Sequence, residues 1–78
     1  MEITYGEPYQ EFGGTRIDVF LDGECKGYLY RMRQVFRGPI DFQGWRFFNA
    51  DHHAESDFFG RYEDAQPWIV EYWRAGSR

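Results

Sequence analysis

Two periodicities run along this chain, a period of two in its first half and a helical period at its end. Ile17, Val19 and Leu21 alternate with Arg16, Asp18 and Phe20, as in a half-buried strand whose successive side chains point to opposite faces. Asp22-Gly23 follows at once. Gly adopts positive φ freely and Asp more readily than most residues, so this pair predicts a tight hairpin turn. Tyr28, Tyr30 and Met32 then alternate with Leu29, Arg31 and Arg33, predicting a returning strand over residues 27–35. Gly38-Pro39 ends it, because Pro lacks the N–H that a ladder needs. Gly44 marks another turn, and residues 45–49 (Trp-Arg-Phe-Phe-Asn) predict a third strand. Residues 3–5 predict a short edge strand, Gly13-Gly14 a break, residues 50–56 a polar acidic loop, and Asp57-Phe58-Phe59 a brief strand before Gly60.

The last segment changes period. Ala65, Trp68, Ile69, Tyr72 and Trp73 fall at i, i+3, i+4, i+7 and i+8, one apolar stripe on a helix. Pro67 fits if Asp64 is the N-cap, since backbone N–H groups of the first turn have no intrahelical partner. Gly76 is the expected stop, with the positive Arg74 suited to that end of the helix dipole. The expected fold is α+β: an antiparallel sheet of three to four strands with one C-terminal helix packed on one face, as a single domain over residues 1–78. With the helix over Ile17, Val19, Leu21, Tyr28, Tyr30, Met32, Trp45 and Phe47, alternation leaves Arg16, Asp18, Phe20, Leu29, Arg31, Arg33, Arg46 and Phe48 outside.

Composition sharpens this picture. The 78 residues hold eight Phe, six Tyr and three Trp, while aliphatic side chains are few. A buried ring removes roughly 150–250 Å² from water, so rings are expected to supply the core. No apolar run approaches the roughly 20 residues of a membrane-spanning helix, no signal peptide is visible, and a lone Cys25 forms no internal disulfide. A cytoplasmic protein is expected. The net charge of −4 argues against direct binding to nucleic-acid backbones. Charge is unevenly placed, with a basic middle (Lys26, Arg31, Arg33, Arg37, Arg46) between acidic ends.

Candidate chemistry is sparse. His52 and His53 stand among Asp51, Glu55 and Asp57, but adjacent histidines diverge on any regular backbone and the spacing matches no metal motif, so a solvated loop is expected. Cys25 has no base required beside it, and the chain lacks a nucleophile elbow or phosphate-binding glycine loop. Neither an enzyme nor a cofactor or metal site is expected. Arg and rings on the outer face are what protein-binding hot spots use. The candidate protein-binding residues are therefore Phe20, Arg31, Arg33, Arg46 and Phe48 with the acids Asp51, Glu55 and Asp57, which together with Glu63 and Asp64 could mimic a row of phosphates. Two alternatives remain: a nucleic-acid module using Arg16, Arg31, Arg33 and Arg46 around Phe20 and Phe48, and a small regulatory subunit. Exposed rings also allow a monomer or a weak homodimer.

The layout carries a resemblance over residues 15–73. A hairpin Ile17-Asp18-Val19-Phe20-Leu21-Asp22-Gly23, a third strand, and a helix introduced by Phe59-Gly60-Arg61-Tyr62-Glu63 and anchored at Trp68 resemble small phage and mobile-element proteins. In plan they are similar to certain small anti-CRISPR proteins that inhibit type I systems; the Arg-rich segment 31–46 and Pro67 depart from that plan. The resemblance implies stoichiometric inhibition of a host CRISPR surveillance complex or its nuclease, by occupying surface and without catalysis, in the host cytoplasm.

Overall fold

In the computed structural model, which describes residues 2–32 and 44–76, the chain folds as β1 (Ile3–Tyr5), β2 (Tyr9–Glu11), β3 (Gly14–Leu21), β4 (Glu24–Met32), β5 (Arg46–Asn49) and α1 (Tyr62–Arg74). The strands form one antiparallel sheet in the order β1-β3-β4-β5, with β2 also pairing β3. This is the expected α+β plan of a sheet with one C-terminal helix, enlarged by β2. Among the described residues no helix is long and apolar enough to cross a membrane.

Two turns of one kind build the first three strand connections' tightest corners. Asp22 and Gly23 have φ of +52° and +85°, and Phe12 and Gly13 have φ of +52° and +78°. Positive φ at both central residues matches the right-handed twist of hairpin strands. Asp-Gly announces its turn in sequence; Phe-Gly does not, and β2 was therefore unforeseen. β1 and β2 share the same edge of β3 but not one register. Tyr5 faces Val19 whereas Tyr9 faces Arg16, so the outer strand carries an extra residue around Glu7-Pro8. Such an irregularity, with a Pro, blunts an open sheet edge.

The face assignment of β4 is corrected by the structure. Leu29 pairs with Ile17 and with Phe47, and all three are buried, with Val19, Ala65 and Ile69 completing the core. Tyr28, Tyr30 and Met32 therefore lie on the opposite face, where Met32 is 61 % exposed. A ring hydroxyl in a dry core loses its hydrogen bonds to water, so tyrosines go where a partner or solvent is available. The hairpin also shifts register between Val19 and Phe20. Cys25 faces Phe20 and Gly27 faces Val19, leaving Lys26 unpaired, so the phase of β4 does not follow from counting back from the turn.

Helix α1 lays Ala65 and Ile69 into the core and packs Trp68, Tyr72 and Trp73 against it, as the apolar stripe predicts. The Phe47 ring is its receptor, with centroids 5.9 Å from Trp68, 5.7 Å from Tyr72 and 5.8 Å from Trp73. The helix starts earlier than expected: Arg61, with extended φ and ψ and no side-chain cap, is the N-cap, and Asp64 lies within the first turn. Pro67 thus sits inside the helix, where it cannot donate to the Glu63 carbonyl. The C-terminal stop is Gly76 at φ +78°, whose N–H donates to the Trp73 carbonyl at 3.1 Å.

Beyond β5 the chain folds back along it. Asn49 Oδ1 accepts from the N–H groups of Asp51 and His53, closing a turn. The Glu55 N–H then donates to the Phe47 carbonyl, and Trp45 and Phe59 exchange two backbone hydrogen bonds. Buried Ser56 accepts from the Phe47 N–H at 3.0 Å and donates to the Asp57 carbonyl at 2.8 Å. The predicted strand at residues 57–59 is thereby a single bridge at Phe59.

Candidate functional site

The face of the sheet away from the helix carries the most organised side chains. Three adjacent strands bring together Arg16 and Asp18 from β3, Tyr28 and Tyr30 from β4, and Arg46 and Phe48 from β5. The Tyr28 and Phe48 rings are stacked, with centroids 5.2 Å apart and planes 6° from parallel. The Arg16 guanidinium lies 3.9 Å from the Tyr28 centroid, within cation–π range. Tyr30 meets Phe48 edge-on at 6.4 Å. One layered stack of guanidinium, phenol and phenyl therefore spans three strands.

Each member is held from a second direction. Arg16 Nε donates to Asp18 Oδ1 at 2.9 Å and its Nη1 to Glu11 Oε2 at 3.2 Å. Burial works against the Arg16 charge, but the hydrogen bond and charge of Asp18, with Tyr9 and Glu11, outweigh it and hold the pKa above its ordinary value. Tyr28 is shifted upward by burial, with Arg16 opposing and Glu11 and Tyr30 adding to the shift. Its hydroxyl is 2.9 Å from His52 Nδ1, and His52 sits at φ +68°. The Tyr30 hydroxyl donates to the Phe12 carbonyl at 2.7 Å, which fastens the β2–β3 turn to the face.

Glu11, Phe12, Arg16, Tyr28, Tyr30, Met32, Phe48 and His52 enclose a shallow concavity of about 290 Å³. The two charged residues that line it, Arg16 and Glu11, offset each other, so its floor is apolar and close to neutral. Such a floor suits apolar or aromatic groups of a ligand. Among the described residues no group of three His, Cys, Asp or Glu is arranged to hold a metal ion, and Cys25 is exposed.

The candidate residues distribute unevenly around this hollow. Phe48 is at its centre. Arg46 lies on the same face but turns away, its Nε donating to the Ser56 carbonyl at 2.6 Å and its guanidinium standing 4.9 Å from the Phe58 centroid. Phe20 shares the face and pairs with Thr4 toward the Asp22-Gly23 turn, outside the hollow. Arg31 is a correction: it pairs with Thr15, in phase with Leu29, and so belongs to the helix side of the sheet. Leu29 is likewise not an outer residue but core. Arg33 lies outside the described residues. Asp51 borders a second hollow of about 350 Å³ with Lys26, Tyr72 and Trp73. Glu55 accepts from Asn49 Nδ2 at 2.6 Å, and Asp57 is exposed.

Sequence reasoning placed Tyr28, Tyr30 and Met32 in the core, passed over Glu11 and read His52 as part of a solvated loop. A usable signal was present in the tyrosine hydroxyls, which need partners wherever they are buried. For His52 no local signal exists, because its contact with Tyr28 is made by folding.

The fold and the site together define a small α+β domain with a ring-lined, charge-balanced sheet face. No family model, curated protein or solved structure matches this chain.

Proposed function

We propose that this protein is a non-enzymatic binding module that engages a protein partner through the helix-free face of its sheet. The observation that carries this reading is the Arg16–Tyr28–Phe48 stack beside an apolar, charge-balanced hollow. Tyr and Arg dominate interface energetics when they are held rigid and partly desolvated. Here the rings are locked across three strands, so little side-chain entropy remains to be lost on binding.

The concrete partner we propose is a host nucleic-acid-handling complex, a type I CRISPR surveillance complex or its nuclease, inhibited by occupation of its surface in the host cytoplasm. Support comes from the resemblance in layout and from the net charge of −4, which favours approach to basic nucleic-acid-binding surfaces. Direct nucleic-acid binding is the weaker reading. Arg16 is engaged by Glu11 and Asp18, Arg46 by Ser56, and Arg31 lies on the other face.

The test is co-elution with purified type I surveillance complexes and loss of their target-DNA binding. Tyr28→Ala and Phe48→Ala, checked for folding by circular dichroism, are expected to weaken association by about 2 kcal/mol or more each, roughly 30-fold. Unchanged association in both variants rejects the proposed face. Absence of interference with every type I system rejects the proposed partner. Steeply salt-dependent binding to naked DNA or RNA instead supports the nucleic-acid module.

A further inference from the structure

Phe12 is disfavoured twice over in an isolated chain. It occupies the first central position of a turn at φ +52°, a region that bulky side chains seldom enter and where Asn or Asp is usual. Its ring is 87 % exposed, although burying a phenyl group is among the larger gains available to a side chain. Backbone strain of this kind points to function when the surrounding structure enforces it. Here it does: the Tyr30 hydroxyl holds the Phe12 carbonyl at 2.7 Å and the Glu11 carbonyl at 3.0 Å, so the turn presents the ring outward.

The same ring stands on the rim of the hollow formed by Tyr28, Tyr30, Met32 and Phe48, and Met32 beside it is 61 % exposed. A projecting ring and an apolar recess thus lie on one patch. We infer that this patch is the interface of a homodimer, in which Phe12 of each copy enters the recess of the other. Knob and hole on a single patch make a two-fold contact that closes on itself; placed on opposite sides, they would propagate into a filament. Arg16 offsets one of the two carboxylates held against it, Glu11 and Asp18, so each copy brings only a small part of its net charge of −4 to this patch. The inference stands independently of the partner proposed above, and it adds a consequence. A partner that uses Tyr28 and Phe48 competes with the second copy, so self-association keeps the face covered until the partner is met.

Sedimentation velocity on the purified protein alone tests this, from about 1 µM to about 1 mM, the span of weak dissociation constants. The mean mass is expected to rise from that of one chain to that of two and no further. Phe12→Asn supplies the residue such a turn prefers, so it is expected to melt no lower than the wild type when both are dilute, yet to stay monomeric throughout. Met32→Glu, which adds a charge to the patch without touching the turn, is expected to do the same to the mass. A wild type that remains monomeric to the highest concentration overturns the inference, as does a Phe12→Asn variant that dimerises like the wild type. Neither result depends on whether a host complex is bound.

Discussion

Gly27 and Phe47 show how a single missing side chain sets the packing. A Cβ built on Gly27 would stand 2.7 Å from Cζ of Phe47 and 2.6 Å from the Phe48 carbonyl oxygen, so the Phe47 ring lies where a larger residue would be. Gly27→Ala is expected to destabilise the fold by about 1–3 kcal/mol, the usual cost of overpacking. Phe47→Ala is expected to remove about 3–5 kcal/mol, because it empties the centre of the core. Urea denaturation measures both. In Gly27→Ala/Phe47→Leu the smaller side chain gives room, so the combined loss should be less than the sum of the losses in Gly27→Ala and in Phe47→Leu alone; strict additivity would argue against the contact. Tyr30 plays the corresponding role on the outer face, lying against Gly14, where a Cβ would meet its ring at 2.6 Å. These pairings were not legible in sequence. A strand glycine signals close approach, but which ring approaches is decided by cross-strand register, and register here includes an unpaired Lys26.

At the scale of elements, the helix stripe was legible because Ala65, Trp68, Ile69, Tyr72 and Trp73 repeat over two turns, and packing selected that face. The start of the helix was not, because a cap is one residue and Asp64 is as suitable a candidate as any. The structure places Arg61 at that position, and the difference is measurable through Pro67. Were Asp64 the cap, Pro67 would lack only an N–H that has no partner in any case, and Pro67→Ala would be close to neutral. With the helix beginning at Tyr62, Pro67 deprives the Glu63 carbonyl of its donor. Pro67→Ala is then expected to stabilise the protein by about 1–3 kcal/mol, the helix-interior penalty of Pro less the chain entropy it removes from the unfolded state. A urea midpoint no higher than that of the wild type would contradict this. The strands divide in the same way. Alternation located β3 and β4, and a short aromatic run between turns located β5, yet alternation alone leaves two faces equivalent, and the outer site followed only once Leu29 was seen to be the core member of its strand.

For the molecule as a whole, the placement of tyrosines on both faces ties stability to alkaline pH. Tyr5, packed on the core side, has its pKa raised above 10.0 by burial. Tyr28, on the outer side, is raised by burial against the pull of Arg16. Both shifts mean that the folded state holds the neutral phenol more strongly than the unfolded chain does. Their contribution is therefore complete below the unfolded value near 10.0 and is lost as pH rises through the higher folded values. Thermal stability is expected to be level, as far as these two groups are concerned, from neutrality to about pH 9 and to fall above about pH 10. Tyr28→Phe separates the phenol's ionisation from its packing. It keeps the ring on Phe48 and under Arg16 but cannot ionise, so it forfeits the contact with His52 at every pH while losing less stability than the wild type between pH 9 and pH 11. The loss of the hydroxyl lowers the curve, and the loss of the ionisation flattens its alkaline limb. Melting curves that run parallel for the two proteins across that interval would show that Tyr28 ionises alike in the folded and unfolded states, and that the guanidinium–phenol–phenyl stack does not hold its ring away from water.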